Sequence, residues 1–151
     1  MIRPIVETDY PQLAAIWESA VIATHDFLRP EDFRYYKSRL PEYFRYVSLF
    51  GYEEEGRIVG CEAEGKLVGF IGLSEDSVEM LFVDNDSRGK GIGKSLIQFA
   101  LNEYGISKVD VNEQNTQAVG FYERMGFLVS SRSDTDSEWK PYPILHMSKL
   151  P

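Results

Sequence analysis

The stretch Arg88 to Ser95, RGKGIGKS, sets glycines at 89, 91 and 93 among the cations Arg88, Lys90 and Lys94. A turn of this composition can hold an anion, because glycines leave backbone N–H groups bare and a following helix adds the positive end of its dipole. Two nucleotide motifs can be tested against these letters. A Walker A loop would take Gly93, Lys94 and Ser95 as its end and would need a glycine where Arg88 stands. A dinucleotide fingerprint, G-x-G-x-x-G, would end on Lys94 if begun at Gly89 and on Leu96 if begun at Gly91. Both fail by register. What stands is Arg-x-x-Gly-x-Gly, at Arg88, Gly91 and Gly93. Elsewhere the two histidines, the single Cys61 and scattered carboxylates lack zinc-ligand spacing, so no metal is expected. Cys61 reads as a small core residue on a strand, with no base in sight for acyl-cysteine chemistry.

The elements that would position this turn can be read from period and punctuation. IRPIVE reads as a first strand, after which Thr8 or Asp9 can cap a helix with Pro11 in its first turn and Leu13, Ile16, Trp17, Ala20 and Val21 on one face. ATHDFLRPED breaks that period, with Asp26 able to cap the next helix. FRYYKSRLPEYFRYVSLF reads as that helix, interrupted at Pro41, and GYEEEG as a loop. RIVGCEAEGKLVGFIGLS gives two strands about a turn at Ala63 to Gly65, and SVEMLFVD a third. From Gly91 the period turns helical, through Ile92, Leu96, Phe99 and Ala100, with Gly105 as C-cap. SKVDVN is a short strand, NTQAVGFYERMG a helix capped by Asn115 and stopped at Gly126, and FLVSSRS and PILHMSK are closing strands. The order predicts an α/β chain with helices on both faces of a mixed sheet, parallel where the strand before Arg88 meets the strand after Gly105.

The 151 residues suit a single domain, 1–151, with an ordinary soluble composition of 43% apolar and 26% charged residues. No run is long and apolar enough for a membrane span, and the first residues lack the apolar core of a signal peptide, so a cytoplasmic protein with no membrane partner is expected. A net charge of −8 argues against nucleic acid as a partner, and the basic and aromatic mixture around Tyr35 and Tyr36 does not reverse that. The acids cluster at Glu53, Glu54, Glu55, Glu62 and Glu64, and again at Asp134, Asp136 and Glu138. Such clusters read first as solvated faces; the sharper alternative is attraction of a cationic amine.

With its preceding apolar strand, LFVDNDSRGKGIG resembles the pyrophosphate loop of the GNAT superfamily of acyl-CoA-dependent N-acetyltransferases. A second block downstream, NEQNTQAVGFYERMGF, matches that family's N-x-x-A-x-x-F-Y-x-x-x-G-F pattern at Asn115, Ala118, Phe121, Tyr122, Gly126 and Phe127. ATHDFL, VNEQN and KPYPIL resemble a small YjaB-like bacterial subgroup. The resemblance implies a GNAT fold: a mostly antiparallel sheet with a central, splayed parallel strand pair. It implies acetyl-CoA as cosubstrate, with Arg88, Gly89, Lys90, Gly91, Ile92, Gly93 and Lys94 around the diphosphate and Asn115 beside the cofactor. Leu81, Phe82 and Val83 would carry pantetheine and thioester, the N–H groups of Leu81 and Val83 serving as oxyanion donors.

Acetyl transfer to an amine needs a neutral nucleophile, a polarised thioester and a proton for the departing thiolate. Glu79 is the candidate base, since strand alternation would put residues 79, 81 and 83 on one face and many family members carry a carboxylate at the matching place. The resemblance makes Tyr122 the acid that protonates the CoA sulfur; the bland alternative is an aromatic on an amphipathic helix. Asn112, at a strand end, is a candidate contact for substrate or for pantetheine. His25 is either a substrate-orienting group or base, or a plain loop histidine, and Phe27, Tyr35 and Tyr36 either line the acceptor pocket or belong to a core stripe. The expected function is acetyl transfer to a primary amine, cationic if the acidic clusters attract it, by direct attack in a ternary complex. Alternatives are an acyl-CoA-binding sensor without catalysis and an acetyltransferase of protein N-termini or lysines. A homodimer stays open.

Overall fold

The computed structural model describes residues 1–55 and 65–150, and between them the backbone of 58–59 and 62–63; the reading of Cys61 lies outside the described residues. Strands β1 (Ile2–Pro4), β2 (Ser48–Glu54), β5 (Lys66–Ser74), β6 (Ser77–Val83), β7 (Lys108–Asn112), β8 (Phe127–Ser133) and β9 (Ile144–Lys149) form one sheet in the order β1-β2-β5-β6-β7-β9-β8. A separate small hairpin pairs β3 (Ile58–Val59) with β4 (Glu62–Ala63). Every pairing in the large sheet is antiparallel except β6 with β7. Helices α1 (Tyr10–Thr24) and α2 (Pro30–Arg45) pack on one face, and α3 (Ile92–Tyr104) and α4 (Thr116–Arg124) on the other. This is the GNAT fold that the motif blocks imply. No helix among the described residues is long and apolar enough to cross a membrane.

The helical periods translate directly into packing. Leu13, Ile16, Trp17, Ala20 and Val21 are the buried stripe of α1, facing Leu40 and Phe44 of α2 and Phe70 of β5. On the opposite face Ile92, Leu96, Ile97 and Ala100 of α3 meet Val68, Ile71 and Val78. Gly105 ends α3 in the left-handed conformation, as its type suggests, with its N–H on the Ala100 carbonyl.

Four local expectations need correction. The run GYEEEG begins inside β2 rather than in a loop, because that segment is paired on both sides, by β1 and by β5. Pro41 does not interrupt α2, which runs on to Arg45 with Leu40 and Phe44 buried on either side of the proline. The N-cap of α2 is Arg29, not Asp26, with Pro30 in the first turn. Asp9 does stand at the start of α1, but its carboxylate turns back to accept from the Val6 N–H at 2.9 Å and to pair with Arg3.

The fold's central feature is where β6 and β7 part. Their pairing is confined to Ser77 with Lys108 and Val78 with Val109. Beyond that β6 pairs only with β5 and β7 only with β9. A bulge lies at the same place: Leu73 faces Val78 and Gly72 faces Met80, so Glu79 is the extra residue of β6. Bulges bend the strand that carries them and increase its twist. The bulge thus turns β6 away from β7 and opens a gap in the sheet.

Candidate active site

Toward α3 and α4 the gap widens into a cleft of about 560 Å³, bounded by Leu81 to Val83, the turn from Ser87 to Lys94, α4 from Thr116 to Arg124, and Ala20 and Thr24 at the end of α1. Backbone groups make much of its wall. Asp84 donates its N–H to Val68 of β5 at 2.8 Å, so alternation along β6 turns the N–H groups of Leu81 and Val83 the other way, into the gap where β7 no longer pairs. Gly89 and Gly91 adopt φ of +80° and +78°, and an added Cβ would meet nothing, so left-handed backbone rather than crowding requires glycine there. Gly93 differs: its Cβ would project between Val83 and Phe121, 3.7 Å from one and 3.8 Å from the other, where it would narrow the cleft. The first turn of α3 carries no side-chain cap, so its N–H groups remain available to an anion.

Among the side chains of the turn, Arg88 and Lys94 line the cleft, Arg88 reaching across to the Gln117 side chain of α4, while Lys90 lies outside that lining, 3.8 Å from Glu54. Ser19 of α1 accepts from the Asn85 N–H at 3.0 Å and donates to Asp84 at 2.6 Å, tying the turn to the opposite layer. Asn115 caps α4 by accepting from the Ala118 N–H at 3.3 Å and also lines the cleft. These donors, the open glycine backbone and the surrounding cations fit the diphosphate of a CoA molecule.

Tyr122 lies deep in this cleft with its ring against Phe121 and Phe127, and burial raises its phenol above the ordinary value. The hydroxyl therefore stays protonated at neutral pH and is available as a donor.

The α1/α2 face presents a different surface. Cavities of about 330 Å³ and 190 Å³ adjoin there, sharing Tyr36, Tyr43, Glu79 and Met80. The bulge puts Glu79 with Met80 on this face, while Leu81 and Val83 pack toward α3 and α4. The expectation that 79, 81 and 83 share a face is overturned for that reason. Burial and the negative charge of Asp110 raise the Glu79 carboxyl above its ordinary value, the Ser77 hydrogen bond opposing them. That direction suits a base.

His25 follows α1 and lines the narrower cavity with Asn112. Its pKa falls to about 4 through burial, so the ring is neutral near pH 7. Thr24 donates to the Ala20 carbonyl at 2.7 Å, so its oxygen accepts from His25 Nδ1 at 2.7 Å and Nε2 keeps its lone pair. Phe27 meets the cavity only through the two rings it touches, His25 and Tyr142, whereas Leu28 lines it directly. Asn112 accepts from the Gln114 N–H at 3.2 Å with its side chain, shaping the loop that delivers Asn115.

The loop between β8 and β9 closes this surface, which sequence reasoning did not anticipate. Asp136 accepts from the Tyr36 hydroxyl, and Glu138 from Tyr43 at 2.6 Å and Tyr35 at 3.0 Å. Asp32, buried on α2, accepts from Tyr142 and pairs with Lys140 at 3.0 Å and Arg29 at 3.0 Å, contacts that hold its carboxyl at about 2. Asp136 and Glu138 are thus wall residues, not a solvated face; Asp134 alone of that cluster is fully exposed. Tyr36 lines both cavities, one of its two expected places; the unread signals were Tyr43, two helical turns further on, and Tyr142 of KPYPIL.

The family of the chain is shown by its likeness to known proteins. Residues 30–149 match the family described as acetyltransferase (GNAT) domain. The chain is 44% identical over 136 residues to the peptidyl-lysine N-acetyltransferase YjaB of Salmonella typhimurium, covering 90% of this chain and 88% of that one. It is 40% identical to the Escherichia coli protein of the same name, over 91% and 88% of the two chains. The solution structure of apo-form YjaB from E. coli superposes with a TM-score of 0.82 at 36% identity, covering 99% of this chain and 97% of that one. The fold also matches, with a TM-score of 0.67 at 21% identity and 99% and 98% coverage, the PaiA N-acetyltransferase of Thermoplasma acidophilum in complex with coenzyme A.

Proposed function

The chain belongs to the GNAT acetyltransferases and is an acyl-CoA-dependent N-acetyltransferase; from that premise we propose that it moves acetyl from acetyl-CoA to the side-chain amine of lysine in a peptide or protein, by direct attack across the gap between β6 and β7. The observation that carries this reading is the two-sided gap. A backbone-lined cleft that fits CoA opens on one face, and an aromatic and acidic cavity bearing Glu79 opens on the other. The relatives' name, peptidyl-lysine N-acetyltransferase, supports the choice of acceptor. So does the 190 Å³ cavity, whose Trp17, Tyr36, Tyr43 and Phe82 suit a methylene chain and whose Glu79 and Asp136 suit an ammonium.

In this reading Arg88 to Lys94 and Asn115 hold the diphosphate end of acetyl-CoA. The N–H groups of Leu81 and Val83 bind the pantetheine and thioester oxygens and stabilise the charge that develops on the carbonyl. A lysine ammonium has a pKa of about 10.4, so Glu79 takes its proton before or during attack. Tyr122 returns a proton to the departing thiolate. His25 and Asn112 line the approach of the acceptor. A free cationic amine is the second reading, favoured by the same carboxylates. The test is a panel of lysine peptides, N-terminal peptides and polyamines, scored by thiol release and by mass of the product. Acetyl on lysine Nε is the expected result; acetyl only on polyamine, or on an α-amine, would replace the proposed acceptor.

A further inference from the structure

We infer that Asp110 and His146 are positioning residues for the proposed base: joined across β7 and β9, they stand beside Glu79 where β6 and β7 part, and they set how readily its carboxylate takes a proton. This rests on the role proposed for Glu79. The register carries it first. Val78 faces Val109 in the last pair of the parallel ladder, so Glu79 and Asp110 are the next residues on their two strands. Val109 and Val111 are buried among α3 and α4, so Asp110 projects from the opposite face, the one to which the bulge sends Glu79. His146 is the cross-strand partner of Asp110, with Nδ1 2.7 Å from its carboxylate, and Nε2 lies 2.6 Å from the Ser133 hydroxyl on β8. A carboxylate only accepts, so Nδ1 carries the hydrogen of that bond.

The order hydroxyl, imidazole, carboxylate is that of a nucleophilic triad. Here, however, neither Ser133 nor Asp110 lines any of the three cavities, and the acidic end of the series lies beside Glu79, which lines two of them. An anion at Asp110 opposes a second anion at Glu79 and so favours the protonated carboxyl, which strengthens Glu79 as a base. The His146 N–H draws on the Asp110 charge and moderates that effect. The other groups facing Glu79 are otherwise engaged. From the β8–β9 loop Asp136 and Glu138 accept tyrosine hydroxyls, and from α2 Tyr36 and Tyr43 donate them. Tyr46 lines the wider cavity, and His25, after α1, is neutral near pH 7. Of the cations about the site, Lys108, two residues before Asp110 on β7, lies 3.6 Å from Asp76, Arg39 lies 3.9 Å from Glu138, and Lys140 pairs with Asp32.

The experiment is a carboxyl carbon NMR titration of Glu79 in the full chain, alone in solution. Asp110→Asn, nearly isosteric and checked for folding by its amide spectrum, should lower the Glu79 midpoint by about half a pH unit or more, and the shift should shrink with added salt. His146→Ala should raise the midpoint in the parent chain and leave it unmoved in the Asp110→Asn background. An unchanged midpoint in Asp110→Asn overturns the inference, as does an equal effect of His146→Ala in both backgrounds. A kcat profile on a lysine peptide should carry the same downward shift of its acid limb. The titration uses neither acetyl-CoA nor acceptor, so its failure and a failure of acetyl transfer are separate results.

Discussion

The two faces of the gap between β6 and β7 are built by different means. The side proposed for acetyl-CoA uses backbone: two left-handed glycines, the uncapped first turn of α3, and the N–H groups that β6 turns away from β5. Its residues from Leu81 to Lys94 form one continuous segment, joined by α4. The side proposed for the acceptor uses side chains, and the hydrogen bonds that close it join residues far apart in the chain, such as Tyr43 with Glu138, 95 positions apart, and Tyr142 with Asp32, 110 apart. Backbone recognition suits a cosubstrate common to the whole family. Side-chain recognition is where this chain can differ from its relatives, because each wall residue can change without disturbing the turn.

Substitutions can break this division. Tyr122→Phe should cost ~10²- to 10³-fold in turnover, in line with the loss of a positioned acid, while calorimetry gives an unaltered acetyl-CoA Kd. A matching loss of affinity would make Tyr122 a structural residue. Glu79→Gln should lower turnover by ~10²-fold and abolish the acid limb of the kcat profile. If that limb persists, another group, with the neutral His25 first in line, accepts the proton. Gly91→Ala places a side chain at a φ of +78°. Such strain is worth roughly 1–2 kcal/mol, so acetyl-CoA should bind about tenfold more weakly with little change in the KM for peptide.

His25 tests the acceptor side through stability. Its folded value of about 4 lies below the ordinary 6.5, so between the two the unfolded chain binds more protons. Stability should therefore fall as pH drops through that window, by about 1 kcal/mol between pH 7 and 5.5 for this group. Urea melts of His25→Gln should lack that component of the slope; an identical slope would mean that His25 is not buried neutral. The smallest effect is expected of Tyr142→Phe, which removes the hydroxyl's bond to Asp32 and its acceptance from the Arg29 N–H and should raise the KM for peptide about three- to fivefold, acetyl-CoA binding being untouched.

The same division explains what the sequence made legible. The glycine turn before α3 and the Asn115 cap of α4 were readable because their geometry depends on glycine, on a helix start and on short spacing, all local properties. The stripes of α1 and α3 were readable for a like reason, since one face of each is simply the core. The placement of Glu79 was not, because alternation assumes a regular strand and the bulge adds one residue opposite Gly72 and Leu73. Asp136 and Glu138 looked like solvated acids because their tyrosine donors lie on α2, far away in the chain. Asp110 and His146 went unnoticed because cross-strand register, not spacing, brings them together.

The central claim is that acetyl crosses the gap from one face to the other. Its most direct measurement is a single time course with acetyl-CoA and a lysine peptide, following free thiol and Nε-acetyl-lysine together. Direct attack predicts that the two rise in equal amounts at every time, and that both slow alike in Glu79→Gln. Thiol released without acetylated lysine, or an acetyl group found first on the protein itself, would contradict the account.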